Sequence, residues 1–498
     1  MIALSPLEAN RAWLRWFSAC ALASAVACSS ETPAAEPVQG AGAGGTSVVP
    51  AIAGASGSSG SQAAGAAAAP GSAAGSGGQS TGAAGSRAAG SGGRGGREPS
   101  AGNGGGVAGS RSNGQAGAAA GSGGTGGSSP TVPTGPSTPL DCGMNGVAIE
   151  NAGPPKNRVN YVIVGDGYTT AQQDLFVQHV QKAMTKRFSE VIGQPYGRYR
   201  KFVNICAIKL VSQSGPIGSG STALECTGDD QSRLARCNSS KVNMAIMSNV
   251  PASFEVDWKA VVLNNDRWWN TGAVIMLWSG AHKDAAGAAL HEGGHGFHQL
   301  ADEYDGTDTN CNREFGEVNV TADAMMTAGK WDMWLGYDQA GATGVQGAVA
   351  GARYCKSGQY RPSQNSMMNQ LFGDKPNTSY NPVSREKMIM DIWRAVTPID
   401  ETVPPAGQLS AAGKLELKVI DPAVIDVDWS IDGEVVAAKG GPTLDLATRN
   451  LSSGKHTITA KAYDNAGMDL VRYRSGTQYG RMNWARSQQT VSWTLDVP

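Results

Sequence analysis

The sequence predicts a mixed α/β domain followed by an all-β module. A long segment that cannot form a hydrophobic core precedes both. Between residues 158 and 300, apolar β-branched runs alternate with two stretches of helical periodicity, which is typical of layered α/β structure. After Pro404 the chain changes to short segments that alternate apolar and polar residues, as half-buried strands do. Nearly half of the 68 glycines lie between Glu31 and Leu140. We therefore divide the 498 residues into segments 1–28, 29–139, 140–400 and 405–498.

Segment 1–28 has the order of an export signal. Arg11 and Arg15 precede an apolar stretch, and small residues lead up to Cys28. The sequence Ala-Val-Ala-Cys at 25–28 resembles the cleavage box of bacterial lipoproteins, which implies that Cys28 is the lipidated first residue of the mature chain. An ordinary cleaved signal is the alternative. We expect an exported bacterial protein, located as an outer-membrane lipoprotein, on the cell surface or outside the cell.

Segment 29–139 is rich in Gly, Ala and Ser, and no aromatic residue occurs between Phe17 and Tyr161. Such a chain cannot bury enough surface to offset its conformational entropy, so we expect a disordered, flexible linker. The formal net charge of −1 argues against a nucleic-acid partner. No apolar run reaches about 18 residues, so any membrane contact is expected through the lipid anchor alone.

Six cysteines follow the signal segment. They are Cys142, Cys206, Cys226, Cys237, Cys311 and Cys355. An even number in an exported chain predicts up to three disulfides. Cys226 and Cys237 are the nearest pair in sequence and the easiest local bridge. None lies in a CxxC arrangement, so a cysteine zinc site is not expected.

In segment 140–400, apolar β-branched runs predict four buried strands, at Arg158–Val164, Val203–Val211, Lys259–Leu263 and Ala273–Trp278. A capping-box pattern at Thr170 and Gln173 predicts a helix over 171–192. A second helix is expected over 285–300, with Asp284 as its N-cap.

Segment 405–498 predicts a small β-sandwich. Period-two alternation places strands at Leu415–Val419, Ile425–Trp429, Thr457–Ala462 and Val491–Trp493. The stretches WSIDG and HTITAKAYD resemble immunoglobulin-like modules of secreted bacterial proteins, which implies a sandwich of that kind.

The second predicted helix carries the sequence His291-Glu292-Gly293-Gly294-His295. Histidines four residues apart lie on one helix face, so both imidazoles can reach one zinc ion at about 2.0–2.1 Å. Glu292 follows the first histidine and is placed to take a proton from a metal-activated water. The two glycines weaken the alternative of an ordinary surface helix, because each costs about 0.5–1 kcal/mol in a helix interior.

The run HEGGHGFHQLADEY, from His291 to Tyr304, resembles the motif HExGHxxxxLxDEY of the IgA-peptidase family of bacterial zinc metallopeptidases. RVNYVIVGDGYT from Arg158, KAVVLNN from Lys259 and YRPSQNSMMN from Tyr360 are similar to that family too, so the resemblance spans about 157–393. It implies a zincin-like domain with one Zn²⁺ per chain that hydrolyses protein or peptide substrates. The strand at Ala273–Trp278 would then lie at the sheet edge that holds an extended peptide.

The family motif also implies that Asp302 is the third metal ligand. On an unbroken helix Asp302 would lie about 10 Å along the axis from His295, so we expect the helix to end near 297–300 and the chain to fold back. The family usually has glycine where this chain has Gln299. The alternatives left open are Glu303, and Glu314 or Glu317 in a gluzincin-like site.

Ser366-Met367-Met368 resembles the methionine turn of metzincins, which implies that Met368 forms a floor beneath the metal; core packing is the alternative. The oxygen-rich stretch from Asp305 to Asn310 is a possible structural Ca²⁺ site. The predicted function is a secreted zinc metalloendopeptidase with Glu292 as general base. A catalytically inactive surface binding or adhesion protein on the same fold is the alternative.

Overall fold

A computed structural model of the chain describes residues 138–189, 192–325, 329–370, 379–472 and 484–498. The predicted signal, Cys28 and almost all of the predicted linker lie outside the described residues. Within the described part of the chain, no helix is both long and apolar enough to span a membrane.

The first half of the described chain contains eight strands. They are β1 Gly146–Glu150, β2 Val159–Asp166, β3 Val203–Ile208, β4 Thr227–Gly228, β5 Ala235–Arg236, β6 Trp258–Leu263, β7 Asn270–Thr271 and β8 Ile275–Ser279. Six of them form one sheet in the order β1-β3-β2-β6-β8-β7. The inner strands β3, β2, β6 and β8 run parallel, and β1 and β7 are antiparallel at the edges. β4 and β5 form a separate hairpin.

The described α-helices are α1 Gln173–Arg187, α2 Ser239–Asn249, α3 Ala285–Gly296 and α4 Pro382–Ala395. All eight residues of β2 are buried, as its continuous apolar run predicts for a central parallel strand. Four short strands lie between α3 and α4. They are β9 Asp338–Gln339, β10 Gly344–Val345, β11 Val349–Ala352 and β12 Cys355–Arg361.

Three predicted helix ends differ from the structure. The capping box lies one residue before the predicted pair. It is formed by Thr169, whose backbone N–H donates to Gln172 Oε1 at 3.1 Å. α1 ends at Arg187 because the chain turns back there, so closely that a side chain at Gly193 would meet the Arg187 carbonyl oxygen at 1.8 Å. Asp284 makes no side-chain cap to α3; its carboxylate lies 2.5 Å from Lys283 Nζ.

Three disulfides link the six cysteines, as their even number predicts. They are Cys142–Cys206, Cys226–Cys237 and Cys311–Cys355. The predicted local pair closes the β4–β5 hairpin, and Cys311–Cys355 ties the loop after α3 to the start of β12.

The C-terminal strands are β13 Ile399–Val403, β14 Gly407–Leu409, β15 Lys414–Val419, β16 Ile425–Ile431, β17 Glu434–Ala437, β18 Thr443–Asp445, β19 Gly454–Asp464 and β20 Gln488–Val497. They form a three-stranded sheet, β13-β15-β18, and a five-stranded sheet, β14-β20-β19-β16-β17. Apolar residues alternate along β16, which is buried at every second position. Buried side chains of both sheets belong to one hydrophobic cluster that also includes Trp393 of α4.

Asp464, at the end of β19, joins the β module to the helical part. Its buried carboxylate accepts hydrogen bonds from Tyr199 Oη at 2.5 Å and Trp393 Nε1 at 2.8 Å, and it pairs with Arg198 at 3.0 Å. The C-terminal module is therefore packed onto the domain that carries the candidate site.

Candidate functional site

The site is built on α3, which follows the last parallel strand of the sheet and is buried from Ala285 to Gly294. His291 and His295 project from the same face, and their Nε2 atoms lie 3.1 Å apart. The Nδ1 atom of His291 bonds the Met367 carbonyl at 2.9 Å, and that of His295 bonds the Leu300 carbonyl at 2.7 Å. A carbonyl only accepts, so Nδ1 carries a proton in both rings, and in the neutral form of either ring Nε2 presents a lone pair to the other groups.

The chain leaves α3 through a left-handed residue, Gln299, with φ +54°. The Gln299 N–H donates to the His295 carbonyl at 3.0 Å, which closes the last turn as an αL cap. Glycine is favoured at such a position because it has no Cβ, which accounts physically for the family preference. Here glutamine adopts the same conformation, and the helix ends at Gly296, slightly earlier than the predicted end near 297–300.

The turn brings Asp302 back to the two histidines. Its Oδ1 lies 3.0 Å from His291 Nε2 and 3.1 Å from His295 Nε2. Three acceptor atoms thus converge on one point. In a tetrahedral zinc site, ligand atoms at about 2.0–2.2 Å from the ion are about 3.3 Å from each other. Two imidazole nitrogens and one carboxylate oxygen at this spacing therefore fit a zinc ion.

The electrostatics of the three groups agree with this fit. Burial alone would raise the pKa of Asp302, but hydrogen bonds from His291 and His295 outweigh it and hold that pKa far below its ordinary value. Burial lowers the pKa of His295, yet the hydrogen bond and charge of Asp302 prevail and raise it to about 9. The attraction that retains a proton on His295 would equally retain a cation among the three groups.

Glu292 stands beside the histidines with its side chain buried. Ligand atoms of His291, Glu292 and His295 all lie within 4.8 Å of one another. Burial raises the pKa of Glu292. Gly272 leaves room for this carboxylate, because a Cβ there would lie 2.6 Å from Glu292 Oε2.

Glu303, the neighbouring alternative to Asp302, faces away from the histidines. It is fully buried and accepts hydrogen bonds from Asn319 at 2.9 Å, Ser366 at 2.5 Å and Asn381 at 2.9 Å. Its backbone N–H donates to the Met368 carbonyl at 2.8 Å. Glu303 therefore secures the 366–368 turn, whose Met367 carbonyl in turn holds His291.

The two glycines inside the histidine motif are explained by their neighbours. A Cβ at Gly293 would lie 2.8 Å from Arg187 Nη2, and one at Gly294 would lie 2.5 Å from Met368 Sδ. Met368 is fully buried and packs against α3 at Gly294. Neither position of the helix has room for a larger residue, and the close neighbours are side chains.

The remaining sequence candidates lie apart from the histidine pair. Glu314 accepts from Thr321 and forms an ion pair with Lys330, and Glu317 pairs with Arg353 at 3.1 Å. His298 is fully buried between Tyr196 and Asp391, and burial lowers its pKa to about 4. Among the described residues, His291, Glu292 and His295 form a set of side chains close enough to share an ion, and the stretch from Asp305 to Asn310 does not form another.

The site opens into a cavity of about 960 Å³. Its walls come from the β4–β5 hairpin, from β7 and from the tip of the β11–β12 hairpin, and they include Arg233, Trp268, Thr271, Glu317 and Tyr354. The expectation that the strand at Ala273–Trp278 forms the sheet edge is wrong, because β8 pairs with β6 on one side and β7 on the other. The edge strand beside the cavity is β7.

Sequence reasoning missed Tyr354, whose hydroxyl donates to Asp302 Oδ2 at 2.5 Å. It also missed the carbonyls of Leu300 and Met367. Tyr354 is 52 residues from Asp302 and belongs to no recognisable motif. Its one local signal is the neighbouring Cys355, which a disulfide ties to the loop after the site.

Comparison with known proteins gives a match over residues 147–343 to the family described as IgA Peptidase M64. This confirms the resemblance seen in the sequence and supports a peptidase. The matched residues include His291, Glu292, His295 and Asp302. The 366–368 turn lies beyond them. No curated protein matches the chain significantly.

Two solved structures show limited likeness. The fibronectin(III)-like modules of CbhA from Clostridium thermocellum are 18% identical, cover 20% of this chain and 93% of their own, and give a TM-score of 0.13. The endo-beta-1,4-mannanase from Thermotoga petrophila is 13% identical, covers 32% of this chain and 31% of its own, and gives a TM-score of 0.13. Neither likeness bears on the fold or the function of this chain.

Proposed function

We propose that this chain, which over residues 147–343 belongs to the IgA peptidase M64 family, is a zinc-dependent endopeptidase. One observation carries the proposal: two imidazole nitrogens and a carboxylate oxygen, from His291, His295 and Asp302, lie within 3.1 Å of one another. In their neutral-imidazole and carboxylate forms all three atoms are acceptors. Such a buried set requires a proton or a cation at its centre.

Two imidazoles with one carboxylate suit Zn²⁺ better than Ca²⁺ or Mg²⁺, which prefer oxygen ligands. His291, His295 and Asp302 would hold the ion and leave one position open. When bound, zinc would lower the pKa of a coordinated water and polarise the scissile carbonyl. The hydrogen bonds from Met367 and Leu300 fix the orientation of both rings, and such supporting contacts tune metal affinity.

Glu292 is proposed as the general base. Its carboxylate would accept a proton from the attacking water and return it to the nitrogen of the leaving amine. Burial raises the pKa of Glu292, which strengthens its carboxylate as an acceptor of that proton. The cavity of about 960 Å³ beside it is large enough for a segment of polypeptide.

Met368 is proposed as the floor of the metal site, with Glu303 holding its turn in place. The support is the buried contact of Met368 with Gly294 and the bond from Glu303 N–H to the Met368 carbonyl. We further propose that the domain is zincin-like and that the C-terminal sheets form an immunoglobulin-like module.

We also propose that the protein is exported and held at the outer membrane or cell surface by lipid on Cys28. The support is the signal-like order of residues 1–28 and the box at 25–28. Cys28→Ala should move the protein from the membrane fraction to the soluble fraction without changing peptide hydrolysis. Wild-type protein found wholly in the soluble fraction would rule out the anchor.

The proposed activity is tested with the purified chain and a library of unstructured peptides. Hydrolysis should stop when a chelator removes the metal and return when zinc is added back. A binding protein with an inactive site would retain zinc and leave every peptide intact. That result would refute the peptidase assignment for this chain and favour the adhesion alternative.

A further inference from the structure

The β11–β12 hairpin carries its turn, Arg353-Tyr354, to the wall of the cavity beside Asp302. The Tyr354 hydroxyl donates to Asp302 Oδ2 at 2.5 Å, while Oδ1 of the same carboxylate faces the two histidines. We propose that Tyr354 is a positioning residue for the metal site, holding Asp302 so that a single oxygen points at the ion. The inference rests on the proposed zinc site and extends it to a residue outside the metal-binding motif.

A carboxylate on one rotatable bond can offer either oxygen, or both, to a cation. A donor fixed on Oδ2 removes that freedom, because turning Asp302 would break a charge-assisted hydrogen bond. Outer groups that orient a ligating side chain in this way tune metal affinity. Tyr354 performs this role from the wall of the cavity.

The backbone fixes the hairpin tip relative to Asp302. The Arg353 N–H donates to the Asp302 carbonyl at 3.0 Å, and the Tyr354 N–H donates to the Tyr304 carbonyl at 3.1 Å. The Asp308 N–H donates to the Tyr354 carbonyl at 2.9 Å. Together with the Cys311–Cys355 disulfide, these bonds tie the hairpin tip to the chain segment that carries Asp302.

The turn itself has a conformation that its residues do not favour. Arg353 has φ +50° and Tyr354 has φ +64°. Two-residue turns with both φ values positive usually contain Asn-Gly or a similar pair, since bulky residues are costly there. Strained residues persist where the surroundings determine them, and they concentrate at functional sites. Each side chain here has a distinct partner, Glu317 for Arg353 and Asp302 for Tyr354.

A second tyrosine sets the direction of the hydroxyl. Tyr304 Oη donates to Tyr354 Oη at 3.2 Å, so the Tyr354 proton is directed to Asp302. A packing role does not explain the residue, because Tyr354 is 40% exposed. Its hydroxyl, rather than its ring, makes the contact with the site.

The test compares zinc affinities of the full chain by competition with a colorimetric chelator. Tyr354→Phe keeps the ring and removes the hydroxyl, and it should weaken zinc binding about 10–100-fold. Tyr360→Phe, the same change in the same hairpin away from Asp302, should match the wild type. Tyr304→Phe should have a smaller effect than Tyr354→Phe. Thermal unfolding of the metal-free variants verifies that all of them are folded.

Equal zinc affinity for Tyr354→Phe and wild type would overturn the inference. An equal loss in Tyr360→Phe would also overturn it, since the effect would then belong to the hairpin and not to the Asp302 contact. The proposed peptidase function is judged separately, by peptide hydrolysis with zinc-loaded wild type. A wild type that binds zinc but cleaves nothing would refute the function and leave the Tyr354 result standing.

Discussion

The substitution Gly294→Ala places one methyl group between α3 and the turn beneath it. The new Cβ would lie 2.5 Å from Met368 Sδ, 3.1 Å from Met368 Cε and 3.4 Å from Leu300 Cδ1. Carbon contacts are comfortable at about 3.5–4.0 Å, so the sulfur has to move by about 1 Å. Met368 is fully buried, and close-packed interiors leave few voids, so we expect its turn to shift.

Two effects of opposite sign decide the magnitude. Replacing a glycine by alanine in a helix interior stabilises by about 0.5–1 kcal/mol. Adding a methyl group to a filled core costs about 1–3 kcal/mol. The difference is a loss of about 0–2.5 kcal/mol in the free energy of unfolding. Zinc affinity should fall as well, because the shifted turn carries the Met367 carbonyl that holds His291.

The assay is denaturant-induced unfolding of metal-free protein, followed by chelator competition for zinc. Gly413→Ala is the control, because a Cβ at Gly413 would have no atom within 4 Å. The control should unfold at the wild-type midpoint or slightly above it. If Gly294→Ala is stabilised by about 0.5–1 kcal/mol and binds zinc normally, the close packing inferred for this helix is wrong.

Three further outcomes follow from the site and its supports. Asp302→Ala should lower zinc affinity by more than about 100-fold. Glu303→Ala should lower zinc affinity less and should lower the unfolding midpoint, because it leaves three buried donors without an acceptor. Chelator competition and denaturant unfolding of both variants measure this. Gln299→Gly should raise the free energy of unfolding by about 0.5–1 kcal/mol, because it relieves a left-handed residue, and a lower midpoint would contradict this. Asp464→Ala should destabilise the protein by about 3–5 kcal/mol through the lost buried contacts with Arg198, Tyr199 and Trp393, which an unchanged unfolding midpoint would refute.

Local patterns predicted much of the fold. The four buried strands of the first domain and the alternating strands of the β module follow directly from period and composition, because burial on two faces or one face determines each pattern. The position of α3 followed from its apolar run. An early end near 297–300 was predicted because Asp302 could approach His295 only if the helix stopped, and the helix ends slightly earlier still, at Gly296.

Other features depend on contacts that sequence spacing does not encode. Nothing local distinguishes Gln299 as left-handed, because glutamine rarely occupies that region. Tyr354 reaches Asp302 only through the pairing of β11 with β12 and a disulfide. The opposite directions of Asp302 and Glu303 could be expected from their adjacency, but the partners of Glu303 come from three separate segments, at Asn319, Ser366 and Asn381.

The most direct test of the central claim measures zinc content and peptide hydrolysis together in wild type and Glu292→Gln. Both proteins should carry about one zinc per chain, because the substitution leaves His291, His295 and Asp302 intact. The variant should hydrolyse peptides at least about 100-fold more slowly, because it lacks the base. A Glu292→Gln protein that cleaves at the wild-type rate, or a wild type that binds no zinc, would contradict the account.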